Sequence, residues 1–299
     1  MSGKLKEVRE RIKSVNSTQQ ITKAMKMVSA AKLRKAQQAI TELRPYSNRL
    51  DKILKNIISN LDGDASTSYG IEREVAKATL VVVTSSRGLC GAFNTNIIKK
   101  SIQKIETEYA EHVINNRLEI VCIGKKGYDS LRKRYPKEAF NIDFINLFAD
   151  LSFENVAQVS AKLMEDFISK KVDKVDVCYG QFRNAAVQSP ACVQFLPVEK
   201  IEKSYEDVTY RAKPDYIFEP SEAELLEELI PTILQTTFQK FLLDTHASEH
   251  GARMTAMDKA TENAEELIKN LKINYNKARQ EAITKELSEI VGGAAALGN

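Results

Sequence analysis

Tryptophan is missing from this 299-residue chain, which holds only 12 glycines and 7 prolines. With so few breakers, long segments can run uninterrupted. No stretch approaches the roughly 18 consecutive apolar residues of a membrane-crossing helix. The opening residues MSGKLKEVRERIK lack the apolar core of a secretory signal, and Glu7 and Glu10 are unusual in an organellar presequence. Histidine is scarce: His112, His246 and His250. The last two stand four apart with Glu249 between them, but Ala247 occupies the position that the H-E-x-x-H zinc motif gives to Glu. Cys90, Cys122, Cys178 and Cys192 have no C-x-x-C or Cys/His zinc spacing. Three of them lie in apolar, strand-like runs, so reduced, buried thiols of a cytosolic protein are expected, with Cys90 in a loop the one open to reaction. No nucleophile–base–orienter set is present. Neither a catalytic site nor a cofactor nor a metal is therefore expected.

What the chain does have is charge of opposite sign at its two ends. The net charge is +4, yet residues 1–60 carry 14 Lys/Arg against 4 Asp/Glu, while residues 221–299 carry 8 against 13. The middle, 61–220, is nearly balanced at 22 against 23. Oppositely charged ends suit pairing with each other. The alternative is a nucleic-acid-binding arm, but the N-terminal basic residues alternate with an apolar stripe, so no nucleic-acid partner is expected.

That stripe predicts one helix over 3–60. Leu5, Val8, Ile12 and Val15 follow 3,4,3 spacing; the register passes polar Gln19 and Thr22 and reaches Leu33, Ala36, Ile40 and Leu43. Pro45 predicts a kink, and 62–70 reads as a turn. Residues 78–198 alternate instead between strand candidates (78–84, 118–123, 142–147, 174–182, 191–198) and helical stretches near 95–112, 125–135 and 153–171. This is the pattern of a mostly parallel sheet with a hairpin added at one edge. From Ser221, which with Glu224 forms a capping box, helical periodicity resumes for about 75 residues, interrupted only by Pro231 and Gly251. The fold class is α+β, mainly α: a long antiparallel coiled coil of N- and C-terminal helices with an inserted Rossmann-like α/β domain. Its parts are 1–60, 75–205 and 215–299. The C-terminal helix is the longer by roughly 25 Å, so its end should project alone.

Two features ask for more than a scaffold. The loop 84–96 follows a strand and precedes a helix, where α/β folds place anions, and it offers Arg87, Gly88 and Gly91. It matches neither G-x-G-x-x-G nor the P-loop, and a tight loop anchoring strand to helix is the competing reading. The second feature is an apolar coat. Ile21, Met25 and Val28 form one stripe and Ala24, Met27 and Ala31 another, wider than a two-stranded coil needs. Ile283, Leu287, Ile290, Val291 and 294–297 are likewise apolar with no partner left in the chain. Either a thicker helical bundle or an enclosing protein would cover such surfaces.

Three segments carry a resemblance. These are 15–32 (VNSTQQITKAMKMVSAAK), Arg87-Gly-Leu-Cys-Gly91, and 275–294, which contains Ile283, Thr284, Glu286, Glu289, Gly293 and Ala294 as I-T-x-E-x-x-E-x-x-x-G-A. They resemble ATP synthase gamma subunits; 100–220 is less distinctive. The resemblance implies a central stalk with no catalytic site of its own. Ion flow through a c-ring, of protons or sodium, would turn the stalk inside a 3:3 ring of alpha and beta subunits, with the ATP chemistry on beta. Epsilon and the c-ring would meet the α/β domain, and the protein would be peripheral on the cytoplasmic face of a bacterial plasma membrane. It also implies that Lys23, Met25, Lys26, Arg253, Arg279, Gln280 and Thr284 touch alpha or beta loops. Ile283, Leu287, Ile290 and Val291 would form a tip turning in an apolar bearing. The regulatory cysteine insertion of chloroplast forms is absent, so no thiol regulation is expected.

Overall fold

The structure is a computed structural model that describes residues 3–60, 68–198 and 222–297. Ser221 of the expected capping box, most of the turn at 62–70 and the side chains of 294–297 lie outside the described residues. Helix α1 spans Gly3–Asn60, and Pro45 lies inside it without ending it. Helix α6 spans Glu222–Leu297 and likewise runs through Pro231. The chain divides into two compact units, Met1–Ala30 with Arg253–Asn299, and Ala31–Ala252.

The larger unit is built on five strands: β1 (Ala78–Val83), β2 (Leu118–Ile123), β3 (Phe140–Asn141), β4 (Lys174–Phe182) and β5 (Gln188–Leu196). Their order is β3-β2-β1-β4-β5. The first four are mutually parallel and β5 is antiparallel to β4, as the strand–helix alternation predicts. Between them run α2 (Phe93–Glu108), α3 (Ala110–Ile114), α4 (Lys125–Leu131) and α5 (Phe153–Ile168). Side chains alternate across the sheet. Leu80 and Val82 pack with Phe93, Ile97 and Leu131 on one face. Val81 and Val83 pack with Val159, Phe167, Phe238 and Leu242 on the other. Burial on both faces explains why β1 ends in the continuous apolar run Leu80–Val83.

Two expectations need correction. The third strand is not 142–147. Parallel pairing with β2 stops at Val121↔Asn141, after which the Asn141 side chain accepts the Asp143 N–H at 3.0 Å and turns the chain away. Nor are all four cysteines free. The hairpin register sets Cys178 opposite Cys192 with Cα atoms 4.0 Å apart, and the two form a disulfide; Cys90 and Cys122 are buried thiols.

One face also carries a buried polar group. Asp176, fully buried, accepts from the Tyr109 hydroxyl at 2.6 Å and from Lys104 Nζ at 3.1 Å, while Lys104 also meets Glu108. Burial, reinforced by the Asp176 carboxylate, pushes the Tyr109 phenol far above its ordinary value.

Candidate interaction surface

All the residues singled out for contacts fall in the smaller unit. There α1 and α6 lie antiparallel. On α6, Met257, Ala264, Ile268, Leu271 and Ala278 are buried, with half-buried Thr261, Tyr275 and Ala282 filling the same heptad row. Leu5, Thr22 and Ser29 are the buried members of the facing row on α1. A polar ladder fixes the register: Lys4 with Glu281 (3.2 Å), Arg9 with the Tyr275 hydroxyl (3.3 Å), Gln19 with Glu265 (3.0 Å), Thr22 with Thr261 (2.9 Å) and Lys26 with Asp258. Each step along α1 is matched by a step back along α6, so a single register holds throughout. Three of these cross-links, at Gln19, Thr22 and Lys26, sit in the polar middle that weakens the apolar seam in the sequence. Reading 253–282 backwards against α1 would have paired Thr22 with Thr261 and Lys26 with Asp258.

The register also shows where the pair ends. Because Glu281 stands opposite Lys4, the last turns of α6 have no α1 residue beside them. Ile283, Leu287, Ile290 and Val291 are each at least half exposed, at 51%, 57%, 67% and 67%. On α1, Ile21, Met27 and Val28 turn outward at 60%, 61% and 57%. Apolar side chains this exposed in a group ask for cover.

The seven contact candidates do not share one environment. Lys23, Arg279, Gln280 and Thr284 are exposed. Gln280 and Thr284 share a shallow patch with Lys277, Glu281, Lys285 and Ser288. Met25 is half-buried, and its carbonyl accepts from the Ser29 hydroxyl at 2.7 Å. Lys26 is already paired with Asp258 inside the seam. Arg253 is only 7% exposed and is not free.

In the larger unit, the 84–96 loop is knitted to itself. Ser85 donates its N–H to Asn94 Oδ1 (3.0 Å) and its hydroxyl to the Arg87 carbonyl (2.6 Å), and the Asn94 amide reaches Cys90 Sγ (3.2 Å). Those bonds favour the strand-to-helix anchor over an anion cradle. The loop still presents Leu89, a left-handed residue (φ 64°) that is 64% exposed. His246 and His250 meet Nε2 to Nε2 at 3.1 Å, a hydrogen bond between rings one helical turn apart. Among the described residues, no three His, Cys, Asp or Glu side chains converge as a metal site.

A family model described as ATP synthase matches residues 4–297. The ATP synthase gamma chain of Cytophaga hutchinsonii is 51% identical over 296 residues, covering 99% of each chain. That of Christiangramia forsetii is 50% identical over 293 residues, covering 98% of each. Among solved structures, a chain of the Euglena gracilis mitochondrial ATP synthase (OSCP/F1/c-ring, rotational state 3) superposes with a TM-score of 0.66 at 21% identity, covering 99% of this chain and 95% of that one. A chain from that enzyme's rotor, in rotational state 1, gives 0.62 at 22% identity, covering 95% and 100%.

Proposed function

The chain belongs to the ATP synthase gamma-chain family, and from that premise we propose that it is the enzyme's central rotor, coupling ion-driven rotation of a c-ring to the cycling of catalytic beta subunits. It is a non-catalytic subunit; ATP is made from ADP and phosphate on beta. Its partners are a 3:3 ring of alpha and beta subunits, epsilon and the c-ring. It works at the cytoplasmic face of the bacterial plasma membrane, held there through the complex. Among the described residues, no helix is long and apolar enough to cross a membrane.

The observation that carries this reading is the helix pair with an uncovered apolar coat. A two-stranded coil needs one apolar seam. Here the seam is filled by the partner helix, yet Ile21, Met27, Val28, Ile283, Leu287, Ile290 and Val291 remain exposed. Apolar surface without directional bonds suits a bearing, because specific polar bonds would favour one angle over the others. The exposed polar side chains of Lys23, Arg279, Gln280 and Thr284 supply the opposite property. Charge-assisted bonds to an acidic or polar loop hold one angular position and release in another. Met25 supplies apolar contact beside Lys23. Lys26 and Arg253, already engaged within the chain, shape that surface more than they reach from it.

Reconstitution tests the reading. The purified chain alone should hydrolyse no ATP, and it should copurify with a 3:3 alpha–beta assembly whose MgATP hydrolysis depends on it. Hydrolysis by the chain alone, or failure to enter that assembly, would sink the proposal. Alanine at Lys23, Arg279 or Thr284 should lower ATP-driven pumping more than it lowers chain stability.

A further inference from the structure

A rotor that is turned through one part and works through another must pass torque between them. One residue in the larger unit is bonded in a way that serves this. Strand β4 pairs with β1 only as far as Val82↔Cys178. Gly180 lies beyond that end, opposite Pro190 of β5. Successive residues of a strand direct their N–H and C=O groups to alternate sides. Those of Gly180 point away from β5, to the side that β1 has left empty. Helix α6 fills the gap. Thr245 Oγ1 accepts the Gly180 N–H at 3.2 Å, and the Ser248 hydroxyl donates to the Gly180 carbonyl at 3.1 Å. Both hydroxyls are fully buried. Two side chains one turn apart on a helix thus stand in for the missing strand.

The neighbours leave this joint little play. A Cβ at Gly180 would lie 2.6 Å from the Phe93 ring, so glycine lets β4 close on α2 at the same point. Thr245 is held in turn by its bond to the Phe241 carbonyl at 2.8 Å, and Phe241 packs on Tyr179 with ring centroids 4.5 Å apart. One turn further on, Gly251 brings α6 against the hairpin, where an added Cβ would meet the Ala185 carbonyl oxygen at 3.1 Å.

We infer that Thr245 and Ser248 are positioning residues for energy coupling: through Gly180 they lock α6 to the sheet, so that rotation imposed on the α/β domain is delivered to the helix without slip. Packing alone resists compression, whereas two opposed hydrogen bonds to one peptide unit also resist sliding and twisting of the helix against the strand. The inference rests on the rotor reading.

The test uses the assembled alpha–beta–gamma complex, with a bead attached to the α/β domain, during ATP hydrolysis. The readout is the angular spread of the bead at its pauses, which measures torsional compliance. T245V and S248A each remove one of the two bonds to Gly180 at nearly constant volume, T245V together with the bond to the Phe241 carbonyl. Each should widen the spread, and the double variant should widen it at least twofold, with bead-free hydrolysis changed less than twofold. T245S, which keeps the hydroxyl, should restore the spread of the parent. A merely structural role would lower the melting temperature and leave the spread of the assembled complex unchanged; that result would overturn the inference. A parent complex whose bead does not rotate with ATP would instead overturn the rotor reading.

Discussion

The hydroxyls of Thr22 and Thr261 meet across the helix pair at 2.9 Å, and each also donates to or borders its own helix backbone, at Gln19 and Met257. Thr22→Val loses both contacts of its hydroxyl, to Gln19 and to Thr261, and should cost about 1 kcal/mol, while the double variant T22V/T261V should recover most of that, since two facing apolar groups need no partner. Urea titration followed by circular dichroism reads both. Equal losses in the single and double variants would show that the contact carries no coupling. The Lys26–Asp258 pair, nearly half exposed on both sides, should contribute less than about 1 kcal/mol.

The uncovered end of α6 makes a prediction of the opposite kind. Leu287 is 57% exposed, so Leu287→Asp should change the stability of the isolated chain by under about 0.5 kcal/mol. It should reduce self-association of the free chain, visible by light scattering. In the assembled enzyme, the proposed apolar bearing predicts that the same charge slows hydrolysis.

Two glycines should differ in how badly they tolerate alanine. At Gly180 the added Cβ meets the Phe93 ring, which can shift, so G180A should cost about 1–3 kcal/mol and be partly rescued by F93L. Gly124, at φ +92°, would place a Cβ 1.9 Å from the Thr84 carbonyl oxygen. Backbone cannot move aside, and a left-handed φ adds strain, so G124A should fail to give stable protein and no side-chain change should rescue it.

The ion cluster around Asp176 sets a pH window. Burial alone would raise the Glu108 carboxyl, but bonds from Lys104 and Lys174 outweigh it and hold the carboxyl below its ordinary value of 4.5. Its contribution is present above that value and lost as pH falls through the folded one. Burial would lower Lys104, but Glu108 and Asp176 outweigh it and raise it above 10.5. Its contribution is present below 10.5 and lost as pH rises through the folded value. Tyr109, held protonated by burial and by Asp176, adds a loss starting near its ordinary 10.0. Stability should be flat between these limits and fall on both sides. Glu108→Gln should shallow the acid limb, and Tyr109→Phe the alkaline one, at a cost of about 1.5–3 kcal/mol from the bond to Asp176.

Thiol labelling separates the cysteines. Cys90 is 2% exposed, and burial pushes the Cys122 thiol up to about 12, so neither should alkylate quickly in the folded chain. After unfolding without reductant, two thiols should label; reductant should release the two from Cys178 and Cys192. Four labelled thiols without reductant would show the pair to be reduced.

What could be read from the sequence follows a physical divide. Strands β2 and β4 and the long helices were legible because their signals are local: short runs rich in valine and isoleucine, heptad spacing and few breakers. The run 142–147 is apolar at four of its six positions and so reads as a strand, yet strand formation needs a partner, and β2 is paired only as far as Asn141. The Cys178–Cys192 pair depends on a hairpin register that one displaced turn residue would change. At the candidate surface, the outward apolar stripe at Ile21 and Val28 showed in spacing. The engagement of Lys26 did not, because its partner Asp258 is far away in sequence. The hydroxyls of Thr245 and Ser248 gave no signal at all, since serine and threonine inside a helix commonly bond their own backbone.

The pairing of Lys4 with Glu281 also sets an order of events during synthesis. The first thirty residues find their helical partner only when residues near 253–281 have been made. At ribosomal speeds of about 5–20 residues per second, that wait lasts roughly 10–50 s. Until then the seam residues Leu5, Val8, Ile12 and Val15 have no helix to pack on. A nascent chain cut short anywhere before residue 253 therefore leaves the seam at Leu5, Val8, Ile12 and Val15 open in addition to the outward stripe at Ile21 and Val28, so it is marked by extra exposed apolar surface as incomplete.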